Sequence, residues 1–575
     1  MRLKKFTVQN YKVFGNPFGV ELIKDQMQDD DIESDTFFTI LTGKNNMGKS
    51  TFLEAINEFY KELKAACKIP EDCFNDSSKP VVFTAKMIVD SSDKEIWKAL
   101  YDNAKITEDT SDDFEVTIIK KYEFGKNGVF SIFIDGQEEK SKPLLKSFTE
   151  TIISQQPYYI RPNMTTDEIN KTVSDIYSDA IDKSSKDRKA RIDQINTDIQ
   201  TIMNELKETT DTLLDSVSND VSGVLNSLFT EQGLELQISG GEVTGFSIKD
   251  FIKNSDTKIT VKSYSRREPM LLSEQGTGVQ RMSLIYTIQK IIEKGLGNLG
   301  DRMLLVDEPE AFLHPEAVRG LSASLYKIGD SMPIIITTHS PILINLENNH
   351  TVIDVFKIDK DKPDAIVLFN SNSHRFDEDD ITNMKILNYV DSYINEFFFS
   401  DKNVIVEGNT EKIVLKYIQK NYNIPFHIIE ARGKATICTI MKILNQFQTD
   451  YHVLHDIDND KDTDTKLKTQ RTNCRKILDL KNGNIKIHAC EANFEDAFYG
   501  HSESSATKTK RIYQILHSEE GGDDYDLKRT ILVTFNRVFE LGIQDLNDEA
   551  LLCSKIHNMA DVNKIESLFP TLEII

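Results

Sequence analysis

The chain has 575 residues, enough for about three or four compact domains that each bury a core. Its 92 acidic residues outnumber its 69 basic ones, and the net charge of −23 argues against a protein that coats nucleic acid, although a local basic face is compatible with that charge. No apolar run reaches the ~18 residues of a membrane span, and the N-terminus lacks the apolar core of a secretory signal. We therefore place the protein in the cytoplasm and expect no membrane partner.

Short apolar runs recur along the chain and alternate with helical stretches. They lie at residues 36–42, 302–306, 333–338, 403–406 and 451–455. Runs of this length that are bounded by glycine-rich or acidic turns are typical of strands. Their alternation with helices predicts an α/β fold with largely parallel sheets.

The first motif is GKNNMGKS at residues 43–50, which follows the strand-like FFTILT and precedes the helical FLEAINEFY. It matches the phosphate-binding loop GxxxxGK[ST], in which backbone N–H groups and a helix N-terminus surround phosphates. Lys49 would pair with the β and γ phosphates of ATP, and Ser50 would bind Mg²⁺. The candidate ATP-binding residues of this loop are Gly43, Asn45, Asn46, Gly48, Lys49, Ser50 and Thr51.

Residues 165–228 differ in character from the segments around them. They are polar, contain no proline and space their isoleucine and leucine residues mostly three, four or seven apart, which predicts a helical insertion. Two interpretations remain open: an arm through which chains self-associate, and a pair of ordinary surface helices.

A second glycine-containing segment reads LSEQGTGVQR at residues 272–281. Ser273 would offer a hydroxyl, and Gly276 and Gly278 would offer backbone N–H groups, to a γ-phosphate. It resembles the signature that ABC-type ATPases present to the nucleotide of a partner subunit, although it departs from the usual LSGGQ.

The strand-like RMLLVDE ends in two adjacent carboxylates. Asp307 would hold Mg²⁺ through water, and Glu308 would orient or deprotonate the attacking water as the catalytic residue of hydrolysis. Further along, PIIITTHSP places His339 just after another apolar strand, where an imidazole could sense the γ-phosphate. These residues complete a predicted ATP site.

The C-terminal part carries a second group of acids. NVIVEGNTEK places Glu407 after a strand and Glu411 one helical turn later, and YHVLHDIDND ends in Asp456 and Asp458, which are alternate residues of an extended segment. HACEANFEDAF adds three further acids: Glu491, Glu495 and Asp496. Because the carboxyl ends of parallel strands gather at one edge of a sheet, we expect these acids to converge.

Several carboxylates in one pocket repel one another unless cations lie between them. Oxygen ligands suit Mg²⁺ or Mn²⁺, and two such ions can activate water and stabilise the leaving oxygen of a phosphodiester. The acids therefore predict a metal centre for phosphodiester cleavage. The alternative is that each acid is a solvated surface charge.

The order of these motifs resembles that of the OLD (overcoming lysogenization defect) family of ATP-dependent nucleases, in which an ABC-type ATPase with a helical insertion precedes a Toprim domain. The resemblance rests on the phosphate loop, the signature, DEPEAFLHP, THS, and VEGNTE followed by DID, and it covers nearly the whole chain. It implies ATPase segments at 1–164 and 229–395, a dimerisation arm at 165–228 and a Toprim nuclease domain at 396–575.

The resemblance also implies cofactors, partners and roles. These are ATP, Mg²⁺ or Mn²⁺, a DNA substrate that is nicked or cut, dimers or higher homo-oligomers, and often a role in defence against bacteriophage. The residues that match the family's metal-binding positions are Glu407, Glu411, Asp456 and Asp458, with Glu495 and Asp496 matching less closely. A lysine near the end of the family's Toprim domain stabilises phosphate, and either Lys508 or Lys510 could be that catalytic lysine here.

A rival hypothesis belongs to a different functional class. An ATP-switched sensor or scaffold could use the same acids only to bind metal or a partner, with cleavage done elsewhere. The presence of all four core carboxylates favours the nuclease. The sequence leaves open the preferred DNA, the trigger, the assembly number, whether ATP activates or inhibits cutting, and whether a regulatory protein or nucleic acid partner exists.

Overall fold

The computed structural model describes the chain apart from residues 24–37, 62–67, 92, 104, 108–113, 187–198, 230–232, 240–257, 264–267, 295–301, 346–350, 359–365, 371–381, 383–393, 462, 484, 502–506 and 570–575. The predicted strand at 36–42 and the predicted arm therefore lie partly outside the described residues. Two compact units divide the chain, Met1–Leu368 and Phe369–Ile575. Both are α/β, which confirms the predicted fold class. Among the described residues no helix is long and apolar enough to cross a membrane.

Unit 1 contains the first group of strands and helices. Its strands are β1 Arg2–Gln9, β2 Phe18–Glu21, β3 Phe38–Gly43, β4 Val81–Val89, β5 Phe114–Tyr122, β6 Val129–Ile134, β7 Gln137–Glu138, β8 Tyr158–Ile160, β9 Leu234–Ser239, β10 Lys258–Ser263, β11 Met270–Leu271, β12 Leu304–Asp307, β13 Ile334–Thr337, β14 Thr351–Ile358 and β15 Ile366–Asn370. Its helices are α1 Lys49–Tyr60, α2 Lys94–Asp102, α3 Lys142–Ser154, α4 Thr166–Lys186, α5 Ile199–Leu228, α6 Thr277–Glu293 and α7 Pro315–Gly329.

The central sheet of unit 1 has the order β15-β14-β3-β13-β12-β8, and the pairs from β14 through β8 are parallel. Strands β3, β12 and β13 are buried along their whole length, which explains why each one is a continuous apolar run in the sequence. Asp307 and Thr337 are register partners at the carboxyl ends of β12 and β13. The sheet therefore brings the ends of three strands, and the residues that follow them, to one edge.

A second, antiparallel sheet has the order β2-β1-β4-β5-β6-β7. Its inner face packs on α1 through aromatic side chains, and the Phe6 and Phe52 rings meet edge to face at 5.6 Å between centroids. Phe83 of β4 stacks on Phe6 at 6.1 Å. This core holds α1, and hence the loop before it, in place.

The predicted helical insertion contains α4 and α5, but the second half of α5 is part of unit 1. Leu214, Val217, Val221 and Leu225 are buried. Ser222 Oγ accepts a hydrogen bond from the Leu236 N–H of β9 at 2.7 Å. Ile169, Val173 and Ile176 of α4 are buried as well, so both ends of the insertion belong to unit 1 and would not be part of a projecting arm.

Unit 2 contains the remaining elements. Its strands are β16 Asn403–Val406, β17 His427–Glu430, β18 Tyr451–Asp456, β19 Lys486–Cys490 and β20 Ile556–Asn558. Its helices are α8 Asn409–Tyr422, α9 Lys434–Gln446, α10 Asp464–Asp479, α11 Phe494–Tyr499, α12 Lys508–Leu516, α13 Tyr525–Val538 and α14 Val562–Leu568. The sheet order is β17-β16-β18-β19-β20, in which β17 through β19 are parallel and β20 is antiparallel. Because β16, β18 and β19 are parallel, the acidic turns that follow them lie at one edge of the sheet.

Candidate nucleotide-binding and acidic sites

The phosphate loop joins β3 to α1 as the sequence predicts. Gly43 has φ 120°, and a Cβ there would lie 2.5 Å from the Phe356 carbonyl oxygen, so only glycine fits. Gly48 has φ 83° and directly precedes α1, whose first residue is Lys49. Asn45 and Asn46 are exposed, and the first helical turn, with Ser50 and Thr51, points its N–H groups at the loop. The backbone thus forms the anion cradle that the motif requires.

Lys49 is almost fully buried, and its ammonium donates to the Gly43 and Lys44 carbonyl oxygens at 2.9 and 2.6 Å. Burial lowers its pKa to about 8, against the opposing effect of Glu308, Asp307 and Glu310. The pKa remains above 7, so the lysine is mostly charged at neutral pH. Its cation is held within the loop, where the motif places the β and γ phosphates.

Asp307 connects the phosphate loop to the central sheet. Ser50 Oγ donates to Asp307 Oδ1 at 2.7 Å, and Thr337 Oγ1 donates to the same oxygen at 2.5 Å. The two predicted Mg²⁺ ligands, which are 257 residues apart in sequence, therefore lie in direct contact. Donor chemistry and placement both fit a Mg²⁺ ion bound with nucleotide phosphates.

Glu308 follows β12 with φ 45°, a left-handed conformation in a non-glycine residue. Its N–H donates to Thr337 Oγ1 at 3.0 Å, and the buried Arg281 guanidinium donates to its carbonyl oxygen. The carboxylate reaches within 3.8 Å of His339 Nε2. Strong backbone anchoring thus aims the Glu308 side chain toward the histidine that the sequence also singles out.

His339 is fixed by a carboxylate that the sequence analysis did not single out. The backbone N–H of His339 donates to Glu310 Oε1 at 2.7 Å, and Thr338 Oγ1 donates to the same oxygen at 2.8 Å. Burial, with Lys49 second, lowers the pKa of His339 to about 4, so the imidazole is neutral at pH 7. A neutral ring can accept or donate one hydrogen bond at the γ-phosphate.

The signature residues lie at the start of α6. Ser273 Oγ is buried without a hydrogen-bond partner among the described residues, and Gly276 is exposed and precedes the helix. A Cβ on Gly278 would lie 2.9 Å from Leu313 and 3.1 Å from the Phe312 carbonyl oxygen. Gly278 therefore has a packing role within its own chain, whereas no such contact restricts Gly276, whose added Cβ would meet nothing within 4 Å among the described residues.

In unit 2, Glu407, Glu411, Asp456, Asp458 and Glu495 come together at the carboxyl edge of the sheet. The Asp456 N–H donates to Glu407 Oε2 at 2.9 Å, and Thr410 Oγ1 donates to Glu495 Oε1 at 3.1 Å. Glu411 is buried on the first turn of α8. We call these five acids the acidic edge.

The acidic edge is electrostatically costly. Burial, then Glu407 and Glu495, raise the pKa of Glu411 to about 7. Burial, followed by Glu411 and Glu407, also raises the pKa of Asp456 well above its usual value. Asp456 Oδ1 is buried with no hydrogen-bond partner in the described part of the chain. This orphaned oxygen, together with the raised pKa values of its neighbours, fits an oxygen-binding divalent cation.

Two lysines, Lys434 and Lys508, lie among the acids, and only Lys508 is among the residues predicted from the sequence. Lys508 Nζ lies 3.7 Å from Glu495 Oε1, whereas Lys510 makes no ion pair with a described residue. Lys434 lies between Glu407 and Asp458. Within the described ranges no group of three or more His, Cys, Asp or Glu side chains is arranged to hold a metal ion, so the donor types fit a metal while their arrangement is that of ion pairs.

Asp496 and Glu491 face other partners. Asp496 Oδ2 accepts from Lys555 Nζ at 3.0 Å, and Glu491 Oε2 lies 3.1 Å from His557 Nε2. Lys555 precedes β20, and nothing in its local sequence marks it as part of this edge. Of the six predicted metal-binding acids of unit 2, five form the acidic edge and Asp496 pairs with a lysine beside it.

These two sites define an ATPase joined to a domain with a carboxylate-rich sheet edge. A family model described as an AAA ATPase domain matches residues 1–344, and one described as the TOPRIM domain of overcoming lysogenization defect protein-like proteins matches residues 398–458. The chain belongs to the AAA ATPase domain family and carries an OLD-like TOPRIM domain. The predicted OLD-family architecture is thereby confirmed.

Known proteins with similar sequences include two nucleases. The Old nuclease of Escherichia phage P2 is 23% identical over 449 residues, covering 73% of this chain and 73% of that protein. The endonuclease GajA of Bacillus cereus (strain HuB5-5) is 22% identical over 564 residues, covering 84% of this chain and 79% of that protein. Among solved structures, an SmcHead bound to the C-winged helix domain of ScpA matches with a TM-score of 0.40 and 14% identity over 64% of this chain and 97% of that chain.

Proposed function

We propose that this chain hydrolyses ATP in unit 1 and cuts DNA at the acidic edge of unit 2 with Mg²⁺ or Mn²⁺. The observation that carries the proposal is the convergence of Glu411, Asp456 and Glu495 at one edge of the sheet, where burial and neighbouring acids raise the pKa of Glu411 and where Asp456 Oδ1 has no hydrogen-bond partner among the described residues. The similarity to an Old nuclease and to the endonuclease GajA supports the same reaction class. From the family resemblance we also propose a role in defence against bacteriophage.

In unit 1 each predicted residue has a chemical task. Ser50 and Asp307 would hold Mg²⁺ against the β and γ phosphates, and Lys49 would neutralise phosphate charge. Glu308 would orient or deprotonate water, and neutral His339 would bond to the γ-phosphate. Ser273 and Gly276, at the start of α6, would bind the nucleotide of a second copy of the chain, as the resemblance to the ABC-type signature implies.

In unit 2 the acidic edge would hold divalent metal through carboxylate oxygens. When bound, the metal polarises the phosphodiester and lowers the pKa of a water nucleophile. Thr410 orients Glu495 by a hydrogen bond, and the Asp456 backbone orients Glu407, so the ligands are positioned from both sides. Lys508, near Glu495, would stabilise the negative charge on the scissile phosphate.

The structure's two candidate lysines predict different outcomes on mutation. Lys508→Ala is expected to lower DNA cleavage by ~10²-fold, because one donor aimed at developing charge is worth about that much. Lys510→Ala, a control on the same helix, is expected to change it by less than ~2-fold. Initial rates of plasmid nicking under saturating Mg²⁺ measure both. Equal losses in the two variants would remove the assignment to Lys508.

We also propose that the chain forms a dimer or higher homo-oligomer, with the insertion contributing. Replacing residues 177–206 by a short glycine-serine linker is expected to lower the mass measured by light scattering. The buried half of α5, from Leu214 on, is kept so that unit 1 retains its core. An unchanged mass in a variant with wild-type circular dichroism would make the insertion an ordinary surface feature.

The decisive experiment for the whole proposal is a plasmid cleavage assay. Purified protein is incubated with supercoiled DNA and Mg²⁺ or Mn²⁺, with and without ATP. Nicked or linear product that depends on the metal supports the nuclease. ATP hydrolysis without any DNA cleavage under all four conditions would favour the ATP-switched sensor.

A further inference from the structure

Lys434 is a buried cation inside the acidic edge. Its side chain is only 3% exposed, and its ammonium donates to Asp458 Oδ2 and lies 3.6 Å from Glu407 Oε2. A lysine is almost never buried to this extent unless it is paired. Here it is paired with two of the residues that would bind metal.

A hydrogen-bonded turn after β17 positions Lys434. The Ala431 and Arg432 N–H groups donate to the Val406 and Glu407 carbonyl oxygens at 2.8 and 2.9 Å. Arg432 and Gly433 have φ values of 61° and 138°, so the backbone turns sharply before α9 begins at Lys434. The turn is hydrogen-bonded to the end of β16, and this bonding places the ammonium at the edge rather than in solvent.

Lys434 divides the acidic edge into two halves. Asp458 is neutralised on both oxygens, because Lys461 Nζ also lies 2.8 Å from its Oδ1. Burial raises the pKa of Asp458, but Lys434 and then Lys461 outweigh it, and the pKa is lowered overall. Glu411 and Asp456, by contrast, have raised pKa values. Lys434 therefore supplies positive charge to Asp458 and Glu407, although burial still raises the pKa of Glu407, whereas Glu411 and Asp456 form no ion pair with a described residue.

A divalent cation at Glu407 and Asp458 cannot share their oxygens with this ammonium. Both cations seek the same oxygens, and two positive charges a few ångströms apart repel strongly where water is largely excluded. Metal bound by these two acids must therefore displace Lys434. The net free energy of metal binding is then only the difference between the metal's interaction with the two carboxylates and the lysine's interaction with them.

We propose that Lys434 is a built-in counter-ion, which pairs with Glu407 and Asp458 and is displaced when divalent metal binds them. It is a positioning residue that holds the carboxylates together and weakens the affinity of this half of the edge for metal. The inference rests on the proposed function only in taking the acidic edge as a metal centre.

The test compares Lys434→Met with Lys461→Met in the full chain. Both variants remove a lysine from Asp458, but Lys461 is 35% exposed, so solvent screens its effect. Lys434→Met is expected to bind Mn²⁺ at least ~10-fold more tightly by calorimetry, because the competing cation is gone. Its metal-free melting temperature should fall by several degrees, because Glu407 then lacks its partner. Lys461→Met should change the affinity by less than ~3-fold.

The outcomes separate this inference from the proposed function. In one outcome the wild type binds Mn²⁺ and cleaves DNA while a folded Lys434→Met binds Mn²⁺ equally or more weakly. That result would overturn the counter-ion role and leave the proposed nuclease activity standing. Mn²⁺ binding by Lys434→Met alone would support the counter-ion and contradict the proposed metal-dependent cleavage by the natural chain. Failure of both proteins to bind Mn²⁺ would overturn both ideas.

A second measurement needs no variant. Acetylation of the wild-type chain by an amine-reactive reagent, read by mass spectrometry, reports how accessible each lysine amine is. Lys434 is expected to react at least ~5-fold faster with saturating Mn²⁺ than with chelator, because displacement frees its ammonium from the carboxylates. Lys510, which has no ion pair with a described residue, is the internal reference. Unchanged or slower reaction of Lys434 with Mn²⁺ would overturn the proposal.

Discussion

Glu407→Ala is expected to lower DNA cleavage by ~10³-fold or more while ATP hydrolysis continues at the wild-type rate. Removing one ligand from a metal centre withdraws charge stabilisation of several kcal/mol from the transition state, and ~4 kcal/mol corresponds to about that factor. Glu407 also accepts the Asp456 N–H, so its loss loosens a second ligand. The double variant Asp456→Ala, Asp458→Ala is expected to have the same effect. ATP hydrolysis should survive because its residues lie in the other unit.

The control for this experiment is a carboxylate at the end of another strand of the same sheet. Glu430 ends β17 and pairs with Lys412 at 2.8 Å, outside the acidic edge. Glu430→Gln should therefore cut plasmid within ~3-fold of the wild type. Cleavage that persists in Glu407→Ala and in the double variant would point to a contaminating nuclease or to another active site.

The same assay also tests whether cleavage depends on a divalent metal. Chelator should abolish cleavage, and either Mg²⁺ or Mn²⁺ should restore it. Ca²⁺ should occupy the carboxylates without supporting the reaction well, because its looser and more variable coordination positions the attacking water poorly. Full activity in chelator would remove the metal centre from the mechanism.

The parallel sheets could be predicted because their strands are short apolar runs that end abruptly in functional residues. Asp307, Glu407 and Asp456 each follow such a run, and parallel pairing brings the ends of the runs to one edge whatever the order of the strands. The convergence of the acids on the acidic edge followed from this rule alone. The antiparallel sheet of β1, β2 and β4 to β7 was not predicted, because its half-buried strands carry polar residues that resemble those of surface segments.

Two lysines beside the acids, and the residues that hold the site side chains in place, could not be predicted from the sequence. Lys434 and Lys555 are isolated charges in ordinary surroundings, and a charge of that kind is usually solvated. Their position depends on tertiary hydrogen bonds, such as those from the turn after β17 to the end of β16. Glu310 was overlooked for a similar reason, since its role depends on Thr338 and on the backbone of His339.

In the insertion, the spacing of apolar residues predicts the helices but does not predict what those helices pack against. The spacing of apolar residues predicts helix, and α4 and α5 are helices. The same spacing does not tell which neighbour covers the apolar face. Leu214 and Val217 are buried within unit 1, where Ser218 and Ser222 bond to β9.

Lys49→Ala is expected to lower ATP hydrolysis by ~10²-fold or more, whereas Glu308→Gln is expected to bind ATP and retain it. The lysine supplies positive charge to the phosphates, and losing such a group at a developing negative charge costs about 3 kcal/mol or more of transition-state stabilisation. Glu308 acts on water instead, so its amide analogue keeps the nucleotide contacts. The backbone N–H of Glu308 donates to Thr337 Oγ1, and its carbonyl oxygen accepts from the Arg281 guanidinium, so residue 308 is held in place by bonds that do not depend on its side-chain charge.

Phosphate release and binding of a fluorescent ATP analogue separate the two variants. Lys49→Ala should lose both signals, and Glu308→Gln should lose phosphate release alone. Lys44→Ala is the matched control, because Lys44 lies in the same loop but contributes its backbone carbonyl, not its side chain, to the Lys49 contact. Its hydrolysis should stay within ~3-fold of the wild type. Equal hydrolysis by the wild type and Lys49→Ala would mean that the phosphate loop does not carry the reaction, and the assignment of unit 1 as the ATPase would fail with it.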